Sequence, residues 1–442
     1  MSIVGAFAVS FQPALHPIVG RITVPGSKSI TNRGLICAAL ADGTSVLRGV
    51  LDSEDTRVMV DAWMALGLSI DWDKSAKTIH ITGCNGQPPN PKGDLHIANS
   101  GTSIRFLTAA LTTTHGEYVL DGVSRMRERP IGDLIDGLRE LGANVESLNA
   151  THPNCPPVRV LANGLRGGSG AVAGDVSSQF LSGMMMASPY ASSPVGIRVI
   201  GDLVSKPYVD MTAAVMKSFG VEVQMRQGQN GLEYNIDAPQ SYVGCEYTIE
   251  PDASAASYFL GAAAITGGSM RIDGLSFGAL QGDVQFATVL AKMGCQVSSG
   301  TDFIEVTGRA SLGIDIDMNA ISDTVQTLAA VALFATGPTR VRGVAHNRHK
   351  ETDRIGDLAC ELRRLGAVIE EHEDGLTIHP RPLTGVDIQT YGDHRMAMSL
   401  SLVGLRVPAV RILDPKCTEK TYPDFFKDMG VVLDQTPNFE LE

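Results

Sequence analysis

The sequence predicts an α/β fold of two similar domains assembled from six repeats, and three observations carry that expectation. The chain has 442 residues, 43% hydrophobic and 19% charged, more than one ordinary core accommodates. An amphipathic helix that ends in an apolar residue and glycine, with short strands after it, recurs at Leu66-Gly67, Leu141-Gly142, Phe219-Gly220, Met293-Gly294, Leu365-Gly366 and Met429-Gly430. These anchors stand about 75, 78, 74, 72 and 64 residues apart. Upstream in every copy lies a second helix, more uniformly apolar and rich in small residues.

The amphipathic helix is clearest in the fifth copy, where Ile355, Leu358, Ala359, Leu362 and Leu365 form one stripe, and in the second, where Ile131, Leu134, Ile135, Leu138 and Leu141 follow Pro130. The glycine after each suits a left-handed cap. Runs such as Ala367 to Glu371 and Leu376 to His379 then read as strands joined by a turn. The second helix is expected to start at Ser29, Ser100, Ser177, Ser254, Asp323 and Asp393, all residue types that cap helices well. A helix apolar all round, such as Gln179 to Ala187 with Met184, Met185 and Met186, belongs at the centre of a domain, so core packing is the plain reading of the methionines. Three copies per domain would put these helices inside and the sheets outside, with helix starts pointing one way and making a locally positive pocket.

Composition narrows the function. With 36 basic against 48 acidic residues the net charge is −12, which argues against a general nucleic-acid or membrane-surface role but permits a small basic pocket. Seven scattered cysteines contain no C-x-x-C pair, so neither a disulfide framework nor a zinc site is expected. Met1 to Gly20 lacks a signal-peptide pattern and no apolar run is long enough to span a bilayer. A cytoplasmic protein with no membrane span and no metal follows.

Polar motifs fall at two equivalent places in the repeats. At the starts of the apolar helices lie Pro25-Gly-Ser-Lys-Ser-Ile-Thr-Asn-Arg33, Asn99-Ser-Gly-Thr-Ser-Ile-Arg105, Asp175-Val-Ser-Ser-Gln-Phe180, Asp323 and Asp393-His-Arg395. Ahead of the amphipathic helices lie Arg125-Met-Arg-Glu-Arg-Pro130, Gly201-Asp-Leu-Val-Ser-Lys-Pro-Tyr208, the loop His346 to Arg354, and Lys416-Cys-Thr-Glu-Lys420. Free backbone N–H groups, lysines and arginines there would hold a phosphate or carboxylate, and Glu351 and Asp323 are candidate proton-transfer groups. Each motif also has a plainer reading as an N-cap or a solvated basic loop. The spacing of Gly20, Gly26 and Lys28 does not make a nucleotide-triphosphate loop. What favours a site is the recurrence of the clusters at matching places.

These motifs, in this order from about Arg21 to Met429, together with Lys350-Glu-Thr-Asp-Arg354, Asp393-His-Arg-Met-Ala-Met398 and Leu413-Asp-Pro-Lys-Cys-Thr-Glu-Lys420, closely resemble the 5-enolpyruvylshikimate-3-phosphate (EPSP) synthase family. The resemblance implies the enolpyruvyl transferase fold, an inverse α/β barrel arrangement of three βαβαββ repeats per domain. One domain is expected to hold residues 1–25 and 248–442 and the other 26–247, with the active site in the cleft. It implies transfer of the enolpyruvyl group of phosphoenolpyruvate to the 5-hydroxyl of shikimate 3-phosphate, with release of phosphate, by a monomer without cofactor, nucleic acid or membrane partner.

Residue by residue, the resemblance implies catalytic roles for Lys28, Asp323, Glu351 and His394. Shikimate 3-phosphate would be held by Lys28, Ser29, Arg33, Ser177, Ser178, Gln179, Ser205, Tyr208, Asp323, His346 and Lys350. Phosphoenolpyruvate would be held by Lys28, Asn99, Gly101, Thr102, Arg129, Gln179, Arg354, Arg395 and Lys420. Two positions depart from the family pattern: His346 stands where known members carry Asn, with Asn347 beside it, and Phe106 stands where many carry Pro. Gly101 should leave room for glyphosate. The sister transferase acting on UDP-N-acetylglucosamine, which typically has Lys-Asn where this chain has Lys28-Ser29, is the nearest alternative. A silent ligand-binding repeat protein and an RNA-end-processing protein of related repeats are alternatives of another class.

Overall fold

The computed structural model describes residues 5–228 and 231–441. The chain divides into two compact units, Met1–Pro25 with Glu250–Glu442, and Gly26–Ile249. Twelve α-helices are found among the described residues: α1 (Lys28–Leu40), α2 (Glu54–Ala65), α3 (Gly101–Leu111), α4 (Gly132–Glu140), α5 (Ser178–Ala187), α6 (Lys206–Ser218), α7 (Ala253–Thr266), α8 (Phe286–Lys292), α9 (Val325–Ala332), α10 (Gly356–Arg364), α11 (His394–Ser401) and α12 (Phe425–Leu433). Odd-numbered helices form the interiors. Every residue of α3, α9 and α11 is buried, and Met184, Met185 and Met186 of α5 are fully enclosed. Helices such as α4 and α10 bury only one stripe, Leu134, Ile135 and Leu138 in the one and Leu358, Ala359 and Leu362 in the other.

Each unit carries three four-stranded sheets built to one pattern. In Gly26–Ile249, Lys92–His96 runs parallel to His115–Asp121, which pairs antiparallel with Val158–Asn163, itself antiparallel to Val145–Ser147. A parallel pair needs a crossover, supplied here by α3, and α4 bridges to the closing hairpin. Strand, helix, strand, helix, strand, strand is the βαβαββ repeat.

Strand pairing also explains how the chain is divided. Glu246–Thr248 returns to lie parallel to Thr44–Arg48 and completes the first sheet of its unit. Val19–Ile22 lies parallel to Ser269–Asp273, and Ala6–Ser10 runs antiparallel between Arg411–Leu413 and Asn438–Leu441. The N-terminal strands thus finish two sheets of the C-terminal half.

Local details correct several expectations. Gly67, Gly142, Gly220, Gly294 and Gly366 end their helices at positive φ, between 89° and 109°, as a left-handed cap requires. Gly430 instead lies inside α12, where a Cβ would come 2.7 Å from the Gln435 carbonyl, and the left-handed residue there is Asp434. The cap of α1 is Ser27, whose hydroxyl accepts from the Ile30 N–H, in place of Ser29. The cap of α7 is Asp252, in place of Ser254. Asp323 lies in a 3-10 turn, Asn319–Thr324, that precedes α9. No helix among the described residues is long and apolar enough to cross a membrane.

Candidate active site

In the unit Gly26–Ile249 the candidate residues gather at the starts of α1, α3, α5 and α6. Lys28 Nζ is 3.1 Å from Asp55 Oδ2, a carboxylate buried in the first turn of α2. Arg129 is buried beside the start of α3, its Nη1 donating to the Asn99 carbonyl at 2.9 Å and to Asn99 Oδ1 at 3.2 Å. Gly101 lets it approach: a Cβ there would lie 2.4 Å from Arg129 Nη2.

The same cluster holds Gln179, whose Nε2 donates to Thr102 Oγ1 at 3.2 Å and whose Oε1 accepts from Arg105 Nη1 at 2.6 Å. Arg105 also donates to the Pro130 carbonyl at 2.9 Å, tying the Arg129 loop to the same point. Ser177 caps α5, with Ser178 as its first residue. Ser205 precedes α6 in a left-handed conformation, φ 52°.

Arg33 is enclosed, with 2% of its surface exposed. Its guanidinium donates to Thr212 Oγ1 at 2.7 Å, the Ser29 carbonyl at 2.9 Å, Ser182 Oγ at 3.3 Å and the Tyr208 carbonyl at 3.1 Å. Phe106 lies beneath it, ring centroid 5.1 Å from Cζ. Burial lowers the Arg33 pKa to about 10, so it remains charged at neutral pH and joins α1, α5 and α6.

In the other unit the geometry centres on Asp323. Its Oδ1 accepts from Lys350 Nζ and Arg354 Nη1, both at 3.2 Å, and its Oδ2 from Arg395 Nη2 at 2.7 Å. Arg354 also meets Glu351 Oε2 at 2.8 Å and Asp393 through Nε at 2.7 Å and Nη2 at 3.2 Å. Lys420 Nζ stands 3.8 Å from Glu351 Oε1. His394 Nδ1 is 3.7 Å from Asp393 Oδ1.

Burial opposes the charge on Arg354, but Asp393, Glu351 and Asp323 together hold its pKa above the ordinary value. Lys350 goes the other way, lowered chiefly by burial despite Asp323. His346 is driven down to about 3 by burial and by Lys350, and is therefore neutral. Asn347 is committed elsewhere, its amide donating to the Ser322 carbonyl at 2.9 Å. The thiol of Cys417, half-buried near this set, is raised by burial and by Asp414 and Asp393.

Sequence reasoning singled out the central residues of these sets but not Asp55, Ser182 or Thr212, nor the supporting role of Arg105. Asp55 lies in Ser-Glu-Asp-Thr, where it looks like any first-turn carboxylate; its pairing with a lysine 27 positions earlier leaves no local signal.

Buried helix starts that bring lysines, arginines and carboxylates within hydrogen-bond reach define an enzyme for small anionic substrates. Comparison makes this specific. The chain matches the family EPSP synthase (3-phosphoshikimate 1-carboxyvinyltransferase) over residues 14–429. A 3-phosphoshikimate 1-carboxyvinyltransferase of Nostoc punctiforme is 46% identical over 425 residues, covering 96% of this chain and 99% of the relative. One of Yersinia pestis bv. Antiqua is 47% identical over 422 residues, covering 94% and 97%. An EPSP synthase structure from Acinetobacter baumannii aligns with TM-score 0.79 and 25% identity, covering 98% of this chain and 99% of that one. This chain belongs to the EPSP synthase family.

Proposed function

We propose that the chain transfers the enolpyruvyl group of phosphoenolpyruvate to the 5-hydroxyl of shikimate 3-phosphate. The activity is that of its family. The roles of individual residues are our assignment, and the observation that carries it is the coordination of Asp323 by Lys350, Arg354 and Arg395 beside the Glu351–Arg354 pair.

The reaction needs one group to take the hydroxyl proton and one to protonate C3 of the enol. Asp323 accepts the proton of the 5-hydroxyl as its oxygen attacks C2, with Lys28 assisting. Glu351 delivers a proton to C3 and, once phosphate leaves the tetrahedral adduct, removes one from the methyl group to restore the double bond. His394, at the first turn of α11 and 3.7 Å from Asp393, is assigned a catalytic role by its place in the family motif.

The phosphate and carboxylate of phosphoenolpyruvate are assigned to Lys28, Arg129, Arg354, Arg395 and Lys420, with Asn99, Gly101, Thr102 and Gln179 shaping the pocket. Shikimate 3-phosphate is assigned to Ser29, Ser177, Ser178, Gln179, Ser205, Tyr208, Asp323 and Lys350. His346 takes the place of the family's Asn, since its neighbour Asn347 is held by Ser322. Arg33 serves this site by holding Ser29 and Tyr208 from beneath.

Both sets come from one chain, which supports a monomer, and the scattered cysteines support a cytoplasmic setting. Phosphate release with shikimate 3-phosphate and phosphoenolpyruvate, against UDP-N-acetylglucosamine as alternative acceptor, tests the substrate assignment; release only with the latter would overturn it. Asp323→Asn and Glu351→Gln should each lose about two to four orders of magnitude in kcat. Near-normal turnover in either variant removes that residue from the scheme.

A further inference from the structure

The chain reaches α11 through a turn that a tyrosine should not favour. Tyr391 and Gly392 both have left-handed φ, 55° and 66°, and the Asp393 N–H donates to the Thr390 carbonyl at 2.9 Å. These are the marks of a primed β-turn, which prefers Asn-Gly because a larger side chain at its first central position crowds the backbone. Something must hold Tyr391 there.

The holder is Glu361, on α10. Its side chain is buried, its Oε1 accepts from the Tyr391 hydroxyl at 2.9 Å, and its Oε2 accepts from the Gln389 N–H at 3.1 Å and from Arg364 Nη1 at 2.5 Å. α10 packs through its apolar stripe without needing this carboxylate. Two of the three bonds instead restrain the segment that leads into α11.

We propose that Glu361 and Tyr391 are positioning residues that pin the turn at 390–392 and thereby fix where Arg354 and Arg395 point. The linkage runs through Asp393, which closes the turn. Its Oδ1 accepts from the Arg395 N–H at 2.8 Å, and its carboxylate holds Arg354 through two bonds. Both guanidiniums converge on Asp323, so a shift of the turn displaces two cations at once. This inference rests on the assignment of Arg354 and Arg395 to phosphoenolpyruvate.

The test uses the full-length enzyme with Tyr391→Phe, Glu361→Gln, the double variant, and Arg395→Gln as a control. Tyr391 is partly exposed, so Tyr391→Phe is expected to fold and decides the matter even if Glu361→Gln does not. The expected result is a rise of about tenfold in KM for phosphoenolpyruvate, with kcat and KM for shikimate 3-phosphate within about twofold. The double variant should be no worse than the weaker single, because both remove one link. If Arg395→Gln raises KM for phosphoenolpyruvate while Tyr391→Phe lowers only the melting temperature, the positioning role is wrong. If Arg395→Gln leaves that KM unchanged, the substrate assignment falls first and this inference with it.

Discussion

Gly101→Ala isolates the geometry of the pocket proposed for phosphoenolpyruvate. The added Cβ would lie 2.4 Å from Arg129 Nη2, 2.7 Å from Cζ and 3.0 Å from Nη1. Ordinary contact needs about 3.5 Å, so the guanidinium must withdraw by roughly 1 Å. It cannot do so freely, being buried and held by two bonds to Asn99. Displacement that weakens one charge-assisted hydrogen bond to the ligand costs about 1.5–3 kcal/mol, or roughly 10- to 150-fold in apparent affinity. Steady-state kinetics with each substrate varied in turn should show KM for phosphoenolpyruvate rising by that factor, and glyphosate sensitivity falling with it. KM for shikimate 3-phosphate should stay within about threefold, since Ser205, Tyr208 and Lys350 are untouched. Alanine suits a helix better than glycine, by about 0.5–1 kcal/mol, but crowding a buried, bonded guanidinium costs about 1–3 kcal/mol, so the variant should melt only modestly earlier. An unchanged KM for phosphoenolpyruvate, or equal losses for both substrates, would refute the claim that Gly101 exists to admit Arg129.

Two further substitutions probe burial and pH. Arg33→Met strips Ser182, Thr212 and the Tyr208 carbonyl of a buried donor and should cost about 2–4 kcal/mol; an unaltered calorimetric melting temperature would contradict the account of Arg33 as the joint of three helices. His346 has a folded pKa near 3 against an ordinary 6.5, so the unfolded chain takes up the proton first. The stability from this neutral histidine is complete above pH 6.5 and drains as pH falls toward 3, with a slope approaching about 1.4 kcal/mol per pH unit. His346→Asn should flatten the urea-midpoint profile between those limits, and identical profiles for the two proteins would remove His346 from the acid response.

What the sequence discloses is what depends on neighbours in the chain. Apolar spacing with a terminal glycine, and a helix such as α5 with its methionine run, announce themselves within a dozen residues. The cap of α1 was ambiguous because Ser27 and Ser29 are equally good acceptors, and only the backbone of residue 27, extended at ψ 121°, decides between them. The returning strands Glu246–Thr248 and Val19–Ile22 are short and no more than half-buried, so they carry little alternation to read. The residue types of the site were legible from motif recurrence. The contacts of Asp55 with Lys28, and of Glu361 with Tyr391, span 27 and 30 positions and required the fold.

The pairing within the Asp323 set also resolves how a chain of net charge −12 can hold anionic substrates without standing as an open positive patch. Lys350, Arg354, Arg395 and Lys420 are each within 4 Å of a carboxylate of their own unit, so the cations are kept in place by internal partners. A phosphate or carboxylate from a substrate competes for those same donors. As it draws Lys350 and Arg395 toward itself, Asp323 loses positive neighbours and takes up a proton more readily. The same exchange at Arg354 and Lys420 acts on Glu351. On the proposed assignments, binding would do more than locate the substrates: by taking cations from the two carboxylates it would raise their proton affinity, which suits Asp323 as the base and lets Glu351 carry the proton it delivers to C3. The carboxylate partners that make the resting cations look neutralised are, on this reading, the groups the substrates switch on.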